Sequence, residues 1–138
     1  MTIAKMDHLR ELVLALLRDK NTSYFINLAK YVGDISAVDE SQASYFIDNG
    51  ILEEFDIYLG MCKKADKIVI AWVLSNFAAN SPRDSESIAM SSILYKLMLL
   101  LNDKNYDLRK EAMWTLNNLC LYSEKENVIE HLVHSGLV

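Results

Sequence analysis

The chain has 138 residues, which is typical of one domain and long enough to bury a large hydrophobic core. Its formal net charge of −5 argues against direct binding to nucleic acid or anionic membranes, which attract basic surfaces. Apolar residues make up 51% of the chain, with only four glycines and one proline, so we expect a nearly all-helical protein with short loops. The apolar run at residues 12–17 is too short for a signal peptide or a membrane span, and we expect a cytoplasmic or nuclear location.

Apolar residues recur three and four positions apart along nearly the whole chain, which predicts a succession of helices. We expect Gly33 to end the second helix as a C-cap, and Ser36 or Asp39 to begin the third. Pro82 is expected to end a helix within a loop at residues 80–84. The predicted helices cover residues 5–18, 23–32, 36–49, 51–61, 64–79, 85–90, 93–101, 106–121 and 124–134.

Two apolar stretches of similar sequence lie 42 residues apart. Each contains a Trp and an Asn separated by one helical turn, Trp72 with Asn76 and Trp114 with Asn118. A period of about 40 to 47 residues is typical of stacked helical repeats. The recurrence therefore predicts a repeat protein and singles out these four side chains.

Aligning the predicted helices on the two Trp-Asn pairs gives a unit of one short, one medium and one long helix. Gly50, Ser92 and Gly136 fall at the short-to-medium junction of successive units. This triplet resembles the armadillo repeat, and residues 70–78 and 107–119 are most similar to the importin-alpha type. The resemblance implies an all-α, right-handed superhelical solenoid of about three armadillo repeats.

The first repeat is expected to be degenerate, because the counterparts of Trp72 and Asn76 fall near Ala29 and Gly33. Terminal repeats are often atypical, since one side of each faces water. The last repeat is incomplete, and we expect it to self-associate, to be covered by a partner, or to continue into further repeats of a longer protein. The predicted single domain covers residues 5–138, divided into a first repeat at 5–49, repeats at 50–91 and 92–135, and the start of another at 136–138.

The resemblance implies that the long helices line a concave face on which Trp72, Asn76, Trp114 and Asn118 hold an extended basic peptide of the nuclear-localisation type. An Asn amide can both donate to and accept from a peptide backbone, and neighbouring indoles can enclose a Lys or Arg stem. In the alternative interpretation the tryptophans are core residues. The asparagines then bond to the backbone of a neighbouring helix.

Acidic residues accompany only one of the two pairs. Glu111 lies three residues before Trp114, and Asp107 lies one turn further back. These carboxylates are predicted to select a cation, or alternatively to form an ordinary acidic helix start. Importin-alpha repeats often carry an acid one turn after the Asn, whereas this chain has Asn80 and Tyr122 there.

We therefore predict a protein- or peptide-binding module whose ligand is an extended segment, including one rich in Lys and Arg. A structural scaffold or assembly subunit is the alternative. No enzyme, cofactor or metal site is predicted, because His131 and His134 have no third ligand nearby. Cys62 and Cys120 are expected to be buried, reduced thiols. Residues 1–7 contain no match to the Arg/Lys-rich segment that precedes the repeats of importin-alpha.

Overall fold

The computed structural model describes residues 3–21, 23–122, 130 and 134, and this part of the chain forms eight α-helices and no strand. None of the described helices has the length and apolar character needed to cross a membrane. The helices are α1 (Ile3–Asp19), α2 (Phe25–Val38), α3 (Glu40–Asp48), α4 (Ile51–Leu59), α5 (Lys64–Asn80), α6 (Pro82–Ala89), α7 (Ile93–Leu100) and α8 (Tyr106–Tyr122).

The helices recur with a period of 42 residues. The short helices α3 and α6 begin at Glu40 and Pro82, and the long helices α5 and α8 begin at Lys64 and Tyr106. The chain thus contains two helix triplets, α3–α5 and α6–α8, after the pair α1–α2. The division into repeats at residues 50, 92 and 136 stays a prediction, because a periodic stack can be divided at any point of its period.

The long helices are packed side by side, with α5 in contact with α2 on one side and α8 on the other. Aromatic side chains fill the core between these helices and the shorter ones. The rings of Phe25 and Tyr58 stack with centroids 3.7 Å apart, and the rings of Phe55 and Phe77 lie 6.3 Å apart. Burial of each such side chain stabilises the fold by about 1.5–3 kcal/mol. The core therefore fixes the relative positions of the three long helices.

The prediction that Gly33 ends the second helix is wrong, because α2 continues through Gly33 to Val38. Gly33 lies directly beneath the indole of Trp72. A Cβ atom at position 33 would lie only 2.6 Å from Cζ3 of that ring. The small size of this glycine therefore allows close packing of α5 on α2.

The predicted loop at residues 80–84 is also wrong, because only Ser81 separates α5 from α6. The Ser81 hydroxyl accepts a hydrogen bond from the backbone N–H of Asp84 (3.1 Å), and Pro82 is the first residue of α6. Proline is favoured at this position, where its missing N–H needs no partner. Asp39 caps α3, as one of the two predicted choices, whereas Ser36 is buried inside α2.

Both cysteines are free thiols, but their burial differs from the prediction. Cys62 is half-buried, and burial raises the pKa of its thiol. Cys120 is exposed, although its counterpart one period earlier, Ala78, is fully buried. The reason is that α8 is the last long helix of the described part of the chain. The helix predicted at residues 124–134 lies outside the described residues except for positions 130 and 134.

Candidate functional site

One stripe of α5 remains open to solvent between α2 and α8. From Val69 onward, the residues of this helix that are not buried include Val69, Trp72, Asn76 and Asn80. Residues three and four apart lie on the same face of a helix, so these side chains form a continuous line. The predicted Trp-Asn pair of α5 therefore lies on the surface that α2, α5 and α8 share.

The second pair occupies the corresponding position on α8. Trp114 is 53% exposed, whereas Asn118 is half-buried. Glu111 is half-buried and Asp107 is exposed at the start of the helix. The structure thus brings both predicted pairs onto neighbouring helices, and Trp114 is not a core residue.

Each asparagine forms a hydrogen bond with the preceding long helix. Nδ2 of Asn76 donates to the carbonyl of Gly33 (3.4 Å), and Nδ2 of Asn118 donates to the carbonyl of Ser75 (3.1 Å). These contacts support the alternative in which the asparagines brace the repeat stack. An amide group has a second N–H and an acceptor oxygen, and Oδ1 of both asparagines has no hydrogen-bond partner in the described part of the chain.

The same hydrogen bonds reveal which residues of α2 correspond to the Trp-Asn pair. Asn118 bonds to residue 75, immediately before its counterpart Asn76. Because Asn76 bonds to residue 33 in the same way, its counterpart on α2 is Asp34, and that of Trp72 is Lys30. The sequence alignment near Ala29 and Gly33 was therefore displaced by one residue.

A groove of about 380 Å³ adjoins the indole of Trp72, and we call it the Trp72 groove. All three long helices contribute to it. Its charged groups are the exposed Lys30 and Asp34 from α2 and the half-buried Glu111 from α8. The remaining lining residues are Ile68 and Val69. Glu111 thus lies beside Trp72 rather than serving the indole of its own helix.

A second groove, of about 440 Å³, adjoins the indole of Trp114, and we call it the Trp114 groove. Its charged groups are Arg109 and Lys110, both from α8. The other residues that line it with Trp114 are Tyr106, Met113 and Asn117. Asp107 lines neither the Trp72 groove nor the Trp114 groove.

A third groove, of about 310 Å³, lies one turn beyond Asn76. Nδ2 of Asn80 donates to the carbonyl of Glu40 (2.9 Å) and to the carboxylate of Asp84 (2.7 Å). Ser36 also lines the groove, and its hydroxyl is buried without a hydrogen-bond partner. Glu40 therefore supplies a carboxylate beside Asn80, where the sequence comparison with importin-alpha found no acid.

Comparison with known proteins identifies the architecture. No family model matches the chain. A designed armadillo repeat protein in complex with the peptide (KR)4 superimposes with a TM-score of 0.80 at 18% identity, covering 91% of this chain and 52% of that chain. An engineered protein gives a TM-score of 0.82 at 20% identity, covering 92% and 51%. The chain has the armadillo-repeat fold. The predicted all-α solenoid is therefore confirmed.

The predicted resemblance to importin-alpha repeats is confirmed as well. Importin subunit alpha-2 from Oryza sativa subsp. japonica is 29% identical over 133 residues, which cover 88% of this chain. The chain spans 25% of the length of that relative and about half of the armadillo structures above.

Sequence reasoning identified the Trp-Asn pairs of the armadillo stack but missed the charged residues of α2 and α3. Counting back 42 residues, the separation of the two pairs, from Trp72 and Asn76 gives Lys30 and Asp34, so this signal was present in the sequence. Glu40 carried no such signal, because its approach to Asn80 depends on how α3 packs against α5.

The described residues contain no group of three or more His, Cys, Asp or Glu side chains arranged to hold a metal ion. Of the two histidines considered in the sequence, His134 is exposed and His131 lies outside the described residues. The absence of enzymatic activity stays a prediction.

Proposed function

We propose that this armadillo chain binds an extended peptide, or an extended segment of a protein, in the grooves across α2, α5 and α8. The Trp72 groove is the observation that carries the proposal. There an indole face and the carboxylates of Asp34 and Glu111 border a space of about 380 Å³. That combination suits a long side chain with an apolar stem and a cationic end.

Backbone capture would use the free amide atoms of Asn76 and Asn118. Each has an acceptor oxygen without a partner in the described residues, and both side chains are only half-buried. Neighbouring helix axes lie about 8–10 Å apart, which corresponds to two or three residues of an extended chain at about 3.3 Å each. The two asparagines can therefore bond to the same peptide backbone at successive positions, whatever its sequence.

Side-chain capture would place a Lys or Arg stem between Trp72 and Trp114. A cation over an indole face gains about 0.5–2 kcal/mol. Glu111 and Asp34 line the Trp72 groove and would each add about 0.2–1 kcal/mol as partly exposed ion pairs. Asp107 lines neither tryptophan groove, and we propose that it contributes only negative potential near the start of α8.

The comparisons support this proposal through their ligands and names. The designed armadillo protein was solved with a peptide of alternating Lys and Arg, and the similar plant protein is an importin subunit. We propose on this basis that the natural ligand is a Lys/Arg-rich segment of the nuclear-localisation type. The corresponding role is in nuclear protein import, in the cytoplasm and nucleus.

A structural scaffold is the second candidate, and the asparagine contacts favour it. Asn76 and Asn118 each join consecutive long helices, and the buried hydroxyl of Thr115 donates to the carbonyl of Ala71 (2.9 Å). Each such hydrogen bond contributes about 0.5–1.5 kcal/mol to stability. In a scaffold these bonds would be the whole purpose of the conserved geometry.

The two functions are separated by the double variant Asn76→Ala/Asn118→Ala. Binding of an alternating Lys-Arg octapeptide and of a Gln-Ser octapeptide would be measured by isothermal titration calorimetry at 20 °C, beside thermal unfolding. Asn102→Ala is the matched control, since Asn102 is exposed in the turn between α7 and α8.

For a peptide-binding module we expect the double variant to bind the Lys-Arg peptide about 10- to 100-fold more weakly, from two lost hydrogen-bonding groups at about 0.5–1.5 kcal/mol each. The Asn102→Ala control should bind normally. A folded double variant with unchanged affinity, or a wild-type chain that binds neither peptide, would refute the peptide-binding proposal. A large loss of melting temperature with no effect on binding would favour the scaffold.

A further inference from the structure

The Trp72 and Trp114 grooves differ in charge. The Trp72 groove contains two carboxylates, Asp34 and Glu111, and one cation, Lys30. The Trp114 groove contains Arg109 and Lys110 and no carboxylate among its lining residues. A peptide that crosses both grooves would therefore meet a net negative site and then a positive one.

Lys110 is placed to contact a ligand. It occupies the position 42 residues after Ile68, which lines the preceding groove, and it is exposed. It forms no ion pair with any residue in the described part of the chain. Its cationic group is therefore available in the Trp114 groove.

Arg109 is held in place without being neutralised. Its Nη1 donates to the carbonyls of Asp103 (2.8 Å) and Lys104 (3.1 Å), which leaves other guanidinium N–H groups free for a ligand. The Asp103 carboxylate is already paired with Lys64 (3.2 Å). Both cations also belong to the first turns of α8, where the helix dipole favours an anion.

We infer that the Trp114 groove takes an acidic side chain, Asp or Glu, of the same peptide whose basic side chain enters the Trp72 groove. This inference rests on the proposed function. The two grooves are one repeat apart, which corresponds to about three residues of an extended peptide. The preferred ligand is therefore a mixed-charge segment with a basic and an acidic residue about three positions apart.

Charge repulsion makes this preference selective. A uniformly basic peptide would place a cation against Lys110 and Arg109, which disfavours that peptide relative to one with an acid at the same point. Removal of like-charge contact and gain of an ion pair together correspond to about a fivefold preference at an exposed site.

The test uses three peptides of Gly, Ser and Ala that contain one Lys. Three residues away they carry Glu, Gln or Lys, and each peptide is made with this residue on either side because the direction of binding is unknown. Affinities are measured by fluorescence anisotropy with the full chain. The charge-reversal variant is Lys110→Glu, and Lys104→Glu is the matched control, with the same change of net charge at an exposed turn residue.

We expect the wild type to bind the Glu peptide about fivefold more tightly than the Lys peptide, with the Gln peptide between them. Lys110→Glu should reverse this order, and Lys104→Glu should preserve it. Equal affinities that still depend on Asn76 and Asn118 would overturn the inference while leaving the proposed function intact. Failure of every peptide to bind would overturn both. The comparison of peptides on the wild type remains decisive if a variant does not fold.

Discussion

Replacement of Gly33 by Ala tests how α2 and α5 create the Trp72 groove. The added Cβ would lie 2.6 Å from Cζ3 and 3.1 Å from Cη2 of Trp72, and 3.0 Å from a methyl group of Val73. An indole is rigid, so these contacts cannot be relieved by bending the end of a flexible side chain. The ring and the α5 backbone must move away from α2.

The expected net effect is a destabilisation. Ala is favoured over Gly within a helix by about 1 kcal/mol. Overpacking costs about 1–3 kcal/mol, and a lengthened hydrogen bond from Asn76 to the Gly33 carbonyl costs up to about 1.5 kcal/mol. The balance is a loss of about 1–2 kcal/mol, or roughly 4–8 °C in melting temperature for a chain of this length.

Urea denaturation and calorimetric titration with the Lys-Arg octapeptide would measure stability and binding together. Gly60→Ala is the control, because a Cβ there would meet its nearest atoms at ordinary distances of 3.4 and 3.5 Å. Trp72→Phe should partly rescue Gly33→Ala, since the smaller ring lacks the clashing edge. A stability gain in Gly33→Ala similar to that of a simple exposed glycine would refute the packing argument.

Two further predictions concern single buried groups. Burial raises the pKa of Tyr58 to about 12, so its stabilising contribution is intact below pH 10 and is lost as the pH rises from 10 to 12. The loss is at most about 2.7 kcal/mol, and Tyr58→Phe should show a correspondingly flatter unfolding free energy over this range than wild type. Parallel profiles would contradict this. Thr115→Val removes the buried bond to Ala71 and should cost about 1 kcal/mol in urea denaturation, and a neutral result would show that this bond is not needed.

The period of the fold was predictable from sequence, but several helix boundaries were not. The Trp-Asn pairs and the apolar spacing are local signals that survive in the folded chain. Gly33 has the composition of a helix end, yet its role depends on an indole that arrives from a helix 39 residues later. Pro82 likewise begins α6 rather than following a loop, because Ser81 can cap the new helix at once.

The candidate site was predictable in its residue types and less so in its contacts. Trp72 and Trp114 lie on one surface because identical spacing gives identical helix faces. The partner of Glu111 could not be deduced from α8 alone, since the closest indole belongs to α5. The bonds from Asn76 and Asn118 to neighbouring carbonyls depend on the exact distance between helices, which sequence does not specify.

The central claim is that peptide covers the exposed tryptophan face, and acrylamide quenching of tryptophan fluorescence tests it most directly. In the variant Trp72→Phe the signal comes from Trp114 alone, which is 53% exposed in the free chain. Saturation with the Lys-Arg octapeptide should reduce the quenching constant by about half if a peptide stem covers one face of the indole. An unchanged quenching constant at saturation would place the peptide elsewhere and contradict the account.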